Sequence, residues 1–128
     1  MKLVAVVTAL ALLVVTGTAL AATLYPLTSG WEFYFKLEWQ GGDRNGNPVV
    51  YGKILNDWGM AATNIRLLVD SLDDKGEITD QRVAWLGSQL TPGMRAYFEV
   101  RVPAAAPSYR VSVFAFDWIQ MGGPTDFR

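Results

Sequence analysis

After residue 30 the chain alternates apolar and polar side chains with a period of two, and this rhythm recurs in separate runs. Trp31, Phe33, Phe35, Leu37 and Trp39 share one parity, while Glu32, Tyr34, Lys36 and Glu38 share the other. A strand sends successive side chains to opposite faces, so this run predicts a half-buried strand with its aromatic row inward. A second strand is expected over Val49 to Asn56, with Val50, Gly52 and Ile54 on one face and Tyr51 and Lys53 on the other. Gly52 offers no side chain to pack and marks either a bulge or a close neighbour. The amide of Asn56 suits the turning backbone of Asp57-Trp58-Gly59. Ile65, Leu67, Val69 and Ser71 alternate with Arg66, Leu68, Asp70 and Leu72 in a third strand. Ile78 to Leu86 returns as a more polar fourth strand suited to a sheet edge. Met94 to Val102 follows, with Ala96, Phe98, Val100 and Val102 inward. The last strand, Tyr109 to Ile119, has Tyr109, Val111, Val113 and Ala115 on one face and Phe114, Phe116 and Trp118 on the other. A strand apolar on both faces is either central or covered on its outside.

The breaks between runs are rich in turn formers. Gly41 to Pro48 reads as a hairpin loop, and Asp73-Asp74-Lys75-Gly76 as a tight turn in which Gly76 takes a positive φ. Leu90-Thr91-Pro92-Gly93 turns the chain again, and Pro103 to Pro107 is a loop because helix is blocked at both ends. The expectation is all-β: an immunoglobulin-like antiparallel sandwich of six to seven strands with Greek-key connections, spanning residues 31–121. Residues 22–30 form a short lead-in and 122–128 a C-terminal tail.

The N-terminus follows a different pattern. Met1-Lys2 precedes an apolar run from Leu3 to Val15, and Ala19-Leu20-Ala21 ends the segment with small residues. A basic start, an apolar middle and an A-x-A end describe a secretory signal peptide, here residues 1–21 with cleavage after Ala21. The competing reading is a retained anchor, since Leu3 to Ala22 just reaches spanning length. Against it stand Thr16, Gly17 and Thr18, with no basic cluster following. The expected location is secreted or periplasmic, with no stable membrane span after cleavage.

Composition then removes whole classes of chemistry. The 128 residues contain no cysteine and no histidine, so thiol nucleophiles, disulfides, imidazole metal sites and Ser-His-Asp catalysis are absent. A formal charge of −1 with no basic cluster argues against a nucleic-acid surface. Asp43, Asn45 and Asn47 have the opening spacing of an EF-hand loop. Pro48 stands where its glycine is needed, and Ile54 where its bidentate glutamate is needed. Asp70, Asp73 and Asp74 read as residues near a solvated hairpin tip. Glu32, Glu38 and Glu99 fall on strand faces turned to solvent, which does not assemble a paired-carboxylate glycosidase site. No serine stands in a nucleophile elbow. The chain is expected to be non-catalytic, with no metal and no cofactor.

Gly52-Lys53-Ile54-Leu55-Asn56, the run Ile65 to Leu72, the turn Asp73 to Gly76, Leu90-Thr91-Pro92-Gly93 and Phe98-Glu99-Val100 together resemble the FxLYD family of bacterial Ig-like domains. The resemblance covers residues 50–103; the tyrosine of the family's name has no counterpart before Gly76, where the chain reads Ser71-Leu72-Asp73-Asp74. It implies an extracytoplasmic accessory domain without catalysis, and it carries over no site residues. Two functions are then expected to compete. One is an envelope module that binds an unknown protein partner or itself, with Tyr34, Trp58, Phe114, Phe116 and Trp118 as its candidate surface. The other is binding of a glycan or envelope polymer through stacking aromatics, which five tryptophans permit.

Overall fold

The computed structural model describes residues 22–120; the segment read as a signal peptide and the tail 122–128 lie outside the described residues. A single 3-10 turn, η1 (Trp31–Phe33), precedes six strands: β1 (Phe35–Arg44), β2 (Asn47–Asn56), β3 (Ala62–Leu72), β4 (Ile78–Trp85), β5 (Arg95–Arg101) and β6 (Ser108–Trp118). They form two antiparallel three-stranded sheets, ordered β1-β2-β5 and β4-β3-β6. The pairs β2-β5 and β3-β6 join strands distant in sequence, which is Greek-key connectivity. Between the sheets lie Phe35, Val50, Ile54, Ile65, Leu67, Val69, Leu90, Phe98, Val100, Val111 and Val113. All but Leu90, which makes an isolated bridge to Ala62, are inward positions of the two-residue rhythm, and their burial drives the sheets together. The more polar β4 is an edge strand, as its sequence suggests. Among the described residues no helix is long and apolar enough to cross a membrane.

Three expectations need correction. First, the strand expected from Trp31 begins only at Phe35. Phe33 N–H donates to the Gly30 carbonyl and Tyr34 N–H to that of Trp31, both at 3.0 Å. A 3-10 turn brings residues i and i+3 to one side. Trp31 and Tyr34 therefore pack against the core, whereas Phe33 is 74% exposed. Strand parity predicts the reverse, with Tyr34 outward and Phe33 inward.

Second, most of the expected loop Gly41 to Pro48 is strand. The ladder continues through Gly41↔Val50, Gly42↔Val49, Asp43↔Pro48 and Arg44↔Asn47. Only Asn45 and Gly46 turn, both with positive φ (54° and 85°), and Asp43 Oδ2 accepts from Gly46 N–H at 3.0 Å. Two residues of this conformation match the twist of a hairpin. Gly41 sits in the ladder because the Tyr109 ring occupies the space its Cβ would need. Gly52 is explained in the same way, by a close neighbour: a Cβ there would collide with the Glu38 carbonyl across the ladder.

Third, β6 changes parity partway along. Its register passes from Leu67↔Val113 to Arg66↔Ala115, so Phe114 is an extra residue, a β-bulge. The compensating extra residue on β3 falls between Arg66 and Thr63, where Asn64 has φ 52°. Arg66 lies on the outer face, its guanidinium 4.7 Å from the Trp85 ring centroid, and Ala115 opposite it faces outward as well. Phe116 and Trp118 are thereby turned toward the core.

Candidate functional site

Along one seam between the two sheets the edge of β1 lies beside the edge of β6. At the end of the sandwich that holds the start of β1, the seam is closed by aromatic rings. Tyr34 packs edge-on to Trp58 at 4.8 Å and to Trp118 at 5.2 Å, and Phe35 meets Phe116 at 5.0 Å. Phe116 and Trp118 touch each other at 5.0 Å. Edge-to-face pairs at these distances add to the burial of the rings.

Of the five candidate surface residues, the fold thus brings Tyr34, Trp58, Phe116 and Trp118 together, while Phe114 stands apart at the bulge. Tyr34, Phe116 and Trp118 are half-buried members of the core's rim, and only Trp58 is well exposed, at 46%. The bulge in β6 and the 3-10 turn before β1 decide which side of each ring meets water.

Behind this cluster, Asn56 fixes the β2–β3 connection. Fully buried, it donates through Nδ2 to the carbonyls of Met60 (2.8 Å) and Leu90 (2.9 Å), and accepts at Oδ1 from Trp58 N–H (3.0 Å). The expected turn role of Asn56 is present, extended by the link to Leu90, a residue 34 positions away.

Further along the seam lies a cleft of about 670 Å³. The lead-in supplies one wall with Leu24, Tyr25 and Pro26; Trp31, Leu37 and Trp39 supply the other. The lead-in is held across the outer face of the β4-β3-β6 sheet by main-chain bonds of Leu24 to the Gln81 amide (2.9 and 3.0 Å). Leu27 N–H donates to the Phe114 carbonyl at 2.8 Å. Gln81, Asp70 and Arg110 form one row across three strands. Asp70, buried, accepts from Gln81 at 2.9 Å and from Arg110 at 2.9 and 3.1 Å, so its charge is matched and its oxygens are satisfied. This cover explains why β6 and β3 are apolar on both faces although β6 is an edge strand: Leu68, Ser112 and Ala115 are buried on the outer side.

Of the acidic residues considered for metal binding, Asp43, Asp70 and Asp73 have other partners. Asp73 Oδ1 accepts from the N–H groups of Lys75 and Glu77, both at 2.9 Å, which builds the turn. Among the described residues no group of three or more acidic side chains is placed to hold a metal ion.

The opposite face of the β1-β2-β5 sheet is flat and polar. Tyr51 and Tyr97 lie 6.4 Å apart beside Gln40, Lys53 and Glu38, around a shallow depression of about 270 Å³. Next to them Arg44 donates to Glu99 at 2.5 Å, and Tyr97 OH donates to the same carboxylate at 2.9 Å. The hydrogen bonds from Arg44 and then Tyr97 hold the Glu99 carboxyl below its ordinary value. The bond to Glu99 raises the Tyr97 phenol. All three groups stand in open solvent, away from the cleft.

Trp31, Trp39, Arg110 and the lead-in were not singled out by sequence reasoning. One signal for the lead-in was available: large apolar side chains (Leu24, Tyr25, Leu27) stand directly after the predicted cleavage point, where a plain linker would be polar. Comparison of the chain with protein-family models, with curated proteins and with solved structures finds no match in any of the three.

Proposed function

We propose that the chain is an exported, non-catalytic Ig-like domain that works by binding, as a protein-interaction or accessory module of the cell envelope. The observation that carries this reading is the set of exposed apolar and aromatic side chains beside the cleft and the aromatic cluster. Tyr25, in the cleft wall, and Leu27 are each 68% exposed; Phe33, next to Tyr34 in the chain, and Trp58, packed on the Tyr34 ring, are exposed as well. Val83, Trp85, Met94 and Tyr97 are exposed on or beside β4 and β5, so it is the adjacency to a cleft and an aromatic cluster, and not the total, that marks a contact surface. The N-terminal pattern supports export, and the FxLYD resemblance points the same way. Against catalysis stands the position of the perturbed titratable groups, which share an open sheet face instead of a cleft.

The test uses a photoreactive phenylalanine analogue at position 33 or at position 75, irradiated in intact cells. Position 75 lies in the β3–β4 turn, at the other end of the sandwich. Discrete adducts from position 33, absent from position 75 and lost on Leu27→Ser, are expected. Equal labelling from both positions, or none from position 33, rejects the reading.

Glycan binding is a second reading, favoured by the Tyr51–Tyr97 pair with amide, ammonium and carboxylate groups around it. Sugar rings stack on such faces while their hydroxyls bond to the polar flanks. Titration of envelope glycans against intrinsic fluorescence, with Tyr97→Ala as control, checks it; a flat response removes it.

A further inference from the structure

The cleft has a floor of main chain. On β3, the Ile65 carbonyl accepts from Leu86 N–H on the β4 side, so odd-numbered residues of β3 bond toward β4 and even-numbered ones toward β6. Arg110 and Ser112, opposite Asp70 and Leu68, are therefore the β6 residues bonded to β3. Tyr109, Val111 and Val113 turn their N–H and C=O groups away from the sheet. Two contacts agree with this direction. The Tyr109 carbonyl accepts from Trp39 Nε1 at 2.9 Å, and past the bulge the Phe114 carbonyl accepts from Leu27 N–H. Between these two bonded points no described residue pairs with the outward groups of Val111 and Val113. The Val111 side chain is in the core, yet Val111 lines the cleft, so the cleft meets its backbone.

We propose that this cleft takes an extended peptide of a partner protein, which adds as a strand to the free edge of β6 at Val111 and lays alternate apolar side chains against Trp31, Leu37 and Trp39. The inference rests on the interaction-module reading and specifies its mode. An edge strand is a template for another chain, and peptide capture by strand addition uses that template. The lead-in already uses one acceptor of this edge, since Leu27 N–H donates to the Phe114 carbonyl.

The geometry selects the occupant. Phe114 lies five positions beyond Tyr109, roughly 16 Å of strand at about 3.3 Å per residue, enough for a short extended segment. A second copy pairing edge to edge is obstructed, because the lead-in and Trp39 stand on either side of the gap. Charge around the cleft is balanced: Asp70 neutralises Arg110, and Glu32 offsets Lys36 in sign. The fitting ligand is thus a neutral, apolar peptide, read chiefly through its backbone. The cleft volume lies in the range of roughly 300–1,000 Å³ usual for ligand sites.

A phage-displayed random heptapeptide library panned on residues 22–128 supplies the probe, and enriched peptides are synthesised for binding and amide exchange measurements. Enriched peptides should alternate apolar positions and slow exchange at the Val111 amide by about tenfold or more. N-methylation at alternate peptide positions should weaken binding about tenfold each, and at the intervening positions leave it unchanged. No enrichment, or N-methyl effects without alternation, overturns the proposal. Peptide binding that is lost on Phe33→Ser but leaves Val111 exchange unchanged overturns strand addition while keeping the interaction module. Failure of the module itself reads out separately, in the photolabelling at position 33.

Discussion

Asn56 offers the sharpest test of how the seam is held. Asn56→Ala removes three hydrogen bonds inside a fully buried environment while leaving the main-chain bonds of residue 56 to Gly93 and Met94 in place. The consequences for the three partners differ. The Leu90 carbonyl keeps a second donor, Ala62 N–H at 2.8 Å. Trp58 is exposed enough for its N–H to find water, whereas the Met60 carbonyl is half-buried. With each bond contributing about 0.5–1.5 kcal/mol, the expected loss is about 2–4 kcal/mol. Set against a total of about 5–15 kcal/mol, this is a large fraction. For a domain of this size it lowers Tm by roughly 10–25 °C. Equilibrium urea unfolding followed by tryptophan emission measures it, since Trp58 and Trp118 report on the affected region. Asn56→Asp adds a sign to the test. It preserves shape and the acceptor for Trp58 N–H, but turns a second oxygen toward two carbonyls. Burial and those carbonyls push the new carboxyl's pKa above its unfolded value of about 3.9. The native state then binds more protons than the unfolded one above that pH, so stability falls as pH rises and partly recovers below about pH 4. A loss under about 0.5 kcal/mol for Asn56→Ala, or an Asn56→Asp profile parallel to wild type, refutes this account of the connection.

Three further expectations follow from the corrected placement of side chains. Phe35→Ala should destabilise by about 3–5 kcal/mol, while Phe33→Ala, two residues away, should change stability by no more than about 0.5 kcal/mol; comparable losses in thermal unfolding would contradict the 3-10 turn. Ser71 carries a buried hydroxyl without a hydrogen-bond partner, so Ser71→Ala should raise stability by about 1 kcal/mol in denaturant melts, and a loss of that size would point to a bond the geometry lacks. Glu99 should titrate below the ordinary carboxylate value by carbon-detected NMR and move back up in Arg44→Gln. Its depressed pKa makes any contribution to stability present above the unfolded value and lost as pH falls through the folded one, and a midpoint unmoved by Arg44→Gln would show the pair to be broken in solution.

Taken alone, the sequence determined the fold class, the inward residues of β2, β3 and β5, the turn at Asp73 to Gly76 and the edge position of β4. These are local properties: a two-residue period and turn-forming residues act within a few positions of the chain, and one face must leave water wherever the period holds. Tertiary structure decided what depends on partners far away in the chain. Gly41 and Gly42 look like loop residues until the ladder to Val50 and Val49 is in place and Tyr109 lies over Gly41. The period through Trp31 and Phe33 fits a strand equally well, but the chain must pass from the outside of one sheet into the edge of the other, and a 3-10 turn makes that crossing. Phe116 and Trp118 reverse direction because one extra residue at Phe114 shifts the pairing with β3, and no period computed along β6 alone contains that shift. The cleft at Val111 belongs wholly to this second class, since it exists only where two strand edges, about seventy residues apart in the chain, are brought side by side.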